Sequence, residues 1–178
     1  MTTWIGLLRG INVGGRNILP MADLRSDLES LKLTNVRTYI QSGNVVFDSA
    51  ARSPTALAKI IGERIETRHG FRPHLLLMKH KDLLAAVESN PFPDAVHDPK
   101  SLHFLFLAQP AVDPNTKALE DARSRTESYK LTERVFYLHA PDGIGRSKLA
   151  ANAEKHLGVV ATGRNFRTVE KLSAMAGR

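Results

Sequence analysis

The chain has 178 residues, 42% hydrophobic and 24% charged, with no cysteine and a formal net charge of +7. This composition excludes disordered, collagenous and disulfide-stapled classes, and the missing thiols exclude cysteine nucleophiles and Cys-type zinc sites. No apolar run approaches the roughly 18 residues a spanning helix needs, and the N-terminus lacks a signal-peptide pattern, so a cytoplasmic protein with no membrane partner is expected.

The first apolar run, Trp4–Leu8, predicts a strand that leads into Arg9-Gly10-Ile11-Asn12-Val13-Gly14-Gly15-Arg16-Asn17. Pro20 suits a helix start, and Met21, Leu24, Leu28 and Leu31 recur at helical spacing over 21–32. Val36–Ile40 and Asn44–Phe47, separated by Gln41-Ser42-Gly43, predict a hairpin. Ser53-Pro54 opens a second helix carrying Leu57, Ile61 and Ile65 that stops near Gly70. His74–Met78 predicts a fourth strand. The order β-α-β-β-α-β is that of the ferredoxin-like unit.

A helix with Leu83, Leu84 and Val87 follows and ends at Asn90-Pro91-Phe92-Pro93. Leu102–Leu107 predicts an apolar strand, and Asp113-Pro114 opens a short helix bearing Leu119 and Ala122. Ser128–Leu131 and Arg134–His139 form a strand pair, and Arg146–Leu157 a helix closed by Gly158. Val159-Val160 is the expected short last strand, and a final helix runs from about Asn165 to Ala176. The expected architecture is therefore α+β, with two tandem ferredoxin-like (βαββαβ) domains. The first covers 1–79 and a linker helix and loop cover 80–99. The second covers 100–178, with an extra C-terminal helix. Periodicity places Trp4, Leu8, Leu24, Leu28, Phe47 and Ile61 in the first core and Phe104, Phe106, Leu149 and Val169 in the second.

Four runs carry a resemblance across the chain. They are Leu8-Arg9-Gly10-Ile11-Asn12-Val13-Gly14-Gly15, Thr38–Phe47, Gly145-Arg146-Ser147-Lys148-Leu149 and Thr162–Leu172. Together and in this order they resemble the bacterial domain-of-unknown-function 1697 family. Arg16 stands where Lys is frequent in that pattern, and Phe166-Arg167 where Trp-Asn is frequent. The resemblance implies two ferredoxin-like α+β domains and implies no activity.

Charge is uneven: residues 1–79 carry +5, residues 80–139 carry −2 and residues 140–178 carry +4. Basic ends that met in space would make one surface for phosphate or nucleic acid; a generically basic surface is the plainer account. Gly10–Asn17 falls short of a P-loop, because Arg16 replaces its lysine, Asn17 its hydroxyl, and no helix follows at once. A backbone nest for an anion remains open, against a wide turn in which Asn12 and Asn17 bond the backbone. Gly145-Arg146-Ser147-Lys148 and Thr162-Gly163-Arg164-Asn165 both read as basic helix starts, with N–H groups that either bind an anion or are capped by Ser147 and by Thr162 or Asn165. The expected ligand-binding set is Arg9, Asn12, Gly14, Gly15, Arg16, Arg146, Ser147, Lys148, Arg164 and Asn165. The Gln41–Asn44 turn is expected at the far end of the sheet from Arg9, which separates the two loops.

No metal pattern joins the seven histidines, although His103 and His139 on neighbouring strands could approach each other. No cofactor motif or Ser nucleophile motif is present, and the 44–47 strand lacks the aromatic string of an RNA reader. The expected function is binding of a phosphate-bearing or other anionic ligand, nucleic acid included. The rivals are an enzyme on a small anionic substrate and a structural or interaction protein.

Overall fold

The computed structural model describes residues 1–177. The fold is mixed α/β, with two four-stranded antiparallel sheets and six α-helices among the described residues. The chain forms two compact units, Met1–Ala85 with the segment from Lys171 onward, and Ala86–Glu170.

In the first unit the elements run β1 (Thr2–Arg9), α1 (Met21–Ser30), β2 (Thr34–Tyr39), β3 (Asn44–Ser49), α2 (Pro54–His69) and β4 (His74–Lys79). The sheet order is β2-β3-β1-β4, and every neighbouring pair is antiparallel. Alternation decides the faces. Trp4 and Leu8 of β1 lie on the same side as Val45 and Phe47 of β3, and this side packs on Leu24, Leu28, Leu57, Ile61 and Ile65 of the two helices. All six residues expected in the first core are buried there. Local chemistry sets the helix ends. Ser53 accepts the Ala56 N–H, Pro54 occupies the first turn, and Gly70 closes α2 at φ 77°.

The core face also holds a charge. Asp27 of α1 is fully buried. Its Oδ1 lies 2.7 Å from Arg68 Nη1 and 3.4 Å from Arg64 Nε, and its Oδ2 lies 2.8 Å from His69 Nε2. A carboxylate taken out of water needs such partners. All three come from the second half of α2, so this cluster fixes how α1 lies against α2.

The second unit contains β5 (Leu102–Leu107), α4 (Thr116–Ala122), β6 (Ser128–Leu131), β7 (Val135–His139), α5 (Lys148–Leu157) and β8 (Ala161–Asn165), and α6 (Phe166–Ala176) follows, its residues from Lys171 onward belonging to the first unit. The α3 helix (His80–Glu88) spans the boundary at Ala86, and a 3-10 turn over Pro93–His97 precedes β5. The sheet order of this unit is β6-β7-β5-β8, again antiparallel throughout. Leu105, Leu107, Phe136 and Leu138 pack on Leu119, Leu149, Ala153 and Leu157 of α4 and α5. Every residue of β5 is buried. Phe104 and Phe106 therefore fill the face opposite α4 and α5. There Phe104 stands edge-on to Tyr137, with ring centroids 4.7 Å apart.

The last strand differs from the sequence expectation. It is not Val159-Val160 but Ala161–Asn165, paired with β5 from Leu107↔Ala161 to His103↔Asn165. The run Thr162-Gly163-Arg164 has no strand pattern of its own. It becomes an edge strand because the fully apolar β5 offers a row of backbone partners, and tertiary pairing overrides local propensity.

Candidate functional site

The first unit brings the Gly-rich loop and the Gln41–Asn44 turn together. The register pairs Leu7 with Asn44, so the end of β1 meets the start of β3. The expectation that the two loops lie at opposite ends of the sheet is thus overturned, because antiparallel partners meet end to start. The Leu8 N–H donates to the Gly43 carbonyl at 2.8 Å, and Asn12 Nδ2 donates to the Gln41 carbonyl at 2.8 Å. Asn12 also donates to the Leu19 carbonyl and accepts the Leu19 N–H. The loop is itself a small hairpin. Asn12 N–H donates to the Asn17 carbonyl, Val13 and Arg16 form a bridge, and Gly14 and Gly15 turn at φ 59° and 70°. Both central residues at positive φ is the type I′ geometry that glycine supplies.

Among the expected ligand residues of this unit, Asn12 is thus a brace, and Gly14 and Gly15 are a turn. Arg9 and Arg16 are exposed basic side chains. Buried Asn44 adds a further tie, donating to the Tyr39 carbonyl and to Ser42 Oγ, each at 3.0 Å.

The other five residues lie in the second unit. Strands β7 and β8 are both antiparallel to β5, so they run parallel and end at the same end of the sheet. The helices that follow them, α5 and α6, therefore start at that end. A 3-10 turn over Ile144–Arg146 precedes α5. Ser147 is buried and accepts the Ala150 N–H at 2.9 Å, while Arg146 and Lys148 are exposed. Asn165 accepts the Thr168 N–H at 3.0 Å, and the Arg167 N–H reaches the Pro99 carbonyl at 3.4 Å. Ser147 and Asn165 are thus helix caps, and Thr162 is a buried strand residue opposite Phe106.

Arg164 lies opposite Phe104 and so faces away from α5. Burial there pulls its guanidinium down to about 10. His103 lies opposite Asn165, on the face that α5 covers. Its Nε2 is buried with no hydrogen-bond partner, and burial lowers its pKa against the opposing pull of a hydrogen bond to the Lys100 backbone. His103 pairs with Leu138 and His139 with Leu102, so the two histidines point to opposite faces and do not form a pair.

A family described as protein of unknown function (DUF1697) matches residues 1–137. The chain belongs to this family. The matched part includes the braced loop cluster and ends before the α5 start. Among solved structures, the chain is similar to the conserved bacterial protein SP0830 from Streptococcus pneumoniae. The two are 27% identical, 98% of each chain is covered, and the TM-score is 0.75. No curated protein matches. Among the described residues, no helix is long and apolar enough to cross a membrane.

What sequence inspection misses is the bracing by Gly43 and Asn44 beside the first loop and the buried face taken by His103. The first was legible in principle, because an antiparallel strand pair puts the end of one strand beside the start of the other. The second was not, since one histidine in an apolar strand gives no sign of which face it takes.

Proposed function

We propose that each unit is a ferredoxin-like domain and that the chain binds a phosphate-bearing or other small anionic ligand at the α5 end of the second sheet. The element orders β-α-β-β-α-β and the strand orders β2-β3-β1-β4 and β6-β7-β5-β8 support the fold reading. One observation carries the ligand reading: parallel β7 and β8 deliver two helix starts to one end of a sheet. A helix start offers N–H groups and partial positive charge to an anion. Residues 143–149 and 161–169 hold Arg146, Lys148, Arg164 and Arg167 and no carboxylate. The caps by Ser147 and Asn165 spend one N–H in each helix, and Pro99 takes a second at α6. The α5 start is therefore the stronger half, with Arg146 and Lys148 as its side-chain charges.

A thermal-shift series with orthophosphate, pyrophosphate and a nucleoside triphosphate, against chloride at matched ionic strength, tests this. A ligand at 100 times its dissociation constant stabilises by about 2.7 kcal/mol. The double variant Arg146→Ala/Lys148→Ala should lose that gain and keep its unliganded melting point, because both side chains are exposed. No shift anywhere in the series, or an equal shift in the double variant, rejects the reading.

A further inference from the structure

We infer that the loop cluster of the first unit, Arg9–Pro20 with Ile40–Gly43, docks on the surface of an anionic lipid bilayer. Among the described residues five large apolar side chains are at least half exposed: Met1, Val13, Ile18, Ile40 and Val112. Three of the five, Val13 at 68%, Ile18 at 56% and Ile40 at 50%, stand on these two loops. Single exposed aliphatics are ordinary, but a concentration at one end of one sheet marks a contact surface. The bracing hydrogen bonds of Asn12, the Val13–Arg16 bridge and the Leu8–Gly43 bond hold the cluster in shape.

Charge and shape select the occupant. Residues 9–22 and 36–47 contain no carboxylate. Arg9 and Arg16 are exposed there, and Arg25 is held at 2.7 Å by Thr38. The surface is thus cationic and aliphatic together, which complements an interface of anionic headgroups over hydrocarbon. Residues 13–18 are all exposed, so the hairpin is a knob and not a groove, and a soft bilayer accepts a knob. A second copy of the chain would set arginine against arginine. Nucleic acid fits less well, since neither loop carries an aromatic side chain on which a base could stack. A spanning helix is not needed for attachment of this kind. The inference is independent of the anion site, which uses another unit and other residues.

Co-sedimentation of the full chain tests it. The probes are vesicles of about one-third phosphatidylserine in phosphatidylcholine, and vesicles of phosphatidylcholine alone. The expected result is partition at least roughly tenfold stronger onto the anionic vesicles, weakening as salt is raised. The triple variant Val13→Ser/Ile18→Ser/Ile40→Ser and the single variant Arg16→Glu should each lower that partition about tenfold at an unchanged melting point. Arg16 is exposed, so its variant carries the test even where the triple variant folds poorly. Equal partition onto both vesicle types overturns the inference, as does undiminished partition of both variants. Binding to an oligonucleotide that these variants abolish, without vesicle partition, overturns it in favour of nucleic acid.

Discussion

A Cβ at Gly43 would stand 2.7 Å from both Ile11 Cδ1 and Leu8 Cβ, and the backbone there sits at φ 88°. Steric contact and dihedral strain therefore act together, and the Leu8 atom cannot swing away because it is the first side-chain carbon. Gly43→Ala should destabilise the protein by about 2–4 kcal/mol in chemical denaturation; a cost under about 0.5 kcal/mol would mean that the two loops part easily. Tyr137 offers a contrasting case. Its hydroxyl donates to the Ala86 carbonyl at 2.7 Å, and burial pushes its pKa up to about 12. Tyr137→Phe keeps the ring beside Phe104 and leaves the carbonyl without that donor. The expected cost is about 1–3 kcal/mol, with the far-UV spectrum unchanged.

At the scale of elements, the Asp27 cluster joins α1 to α2 through one carboxylate and three cationic or ionisable partners. Arg64 and Arg68 are about one-third exposed at their side chains, whereas Asp27 is wholly buried. Removing the carboxylate loses all three pairings at once, whereas removing Arg68 leaves the buried charge with Arg64 and His69. Asp27→Asn should therefore cost about 2–3 kcal/mol, and Arg68→Ala less than that. A larger loss for Arg68→Ala, read from urea midpoints at constant slope, would contradict this ordering. The helices themselves were legible from short-range chemistry: Ser53-Pro54 and Gly70 bound α2, and Gly158 closes α5, which starts at Lys148 behind the Ser147 cap and not at Arg146. The strand Ala161–Asn165 was not. Its partner β5 lies more than fifty residues earlier, and nothing within Thr162-Gly163-Arg164 announces a ladder.

For the whole molecule, a buried base contributes to the acid limb of stability. Burial lowers the pKa of His103 below its ordinary 6.5. As pH falls below that value the unfolded chain takes up a proton that the folded chain refuses, so folding stability drops until the folded pKa is reached. Well above pH 6.5 both states are neutral at this site and the contribution is flat. His103→Gln should shrink the loss of melting temperature between about pH 7 and 5; an unchanged acid slope would place the titration elsewhere.

Composition, helix ends and the alternation of short strands carry the α+β class and the element order, because these depend on contacts within a few residues. Strand order, the meeting of the Gly-rich loop with the Gln41–Asn44 turn, and the opposite faces taken by Arg164 and Asn165 depend on register between distant strands. A one-residue change of register turns every side chain to the other face, so only the folded sheets decide which of the basic residues point the same way.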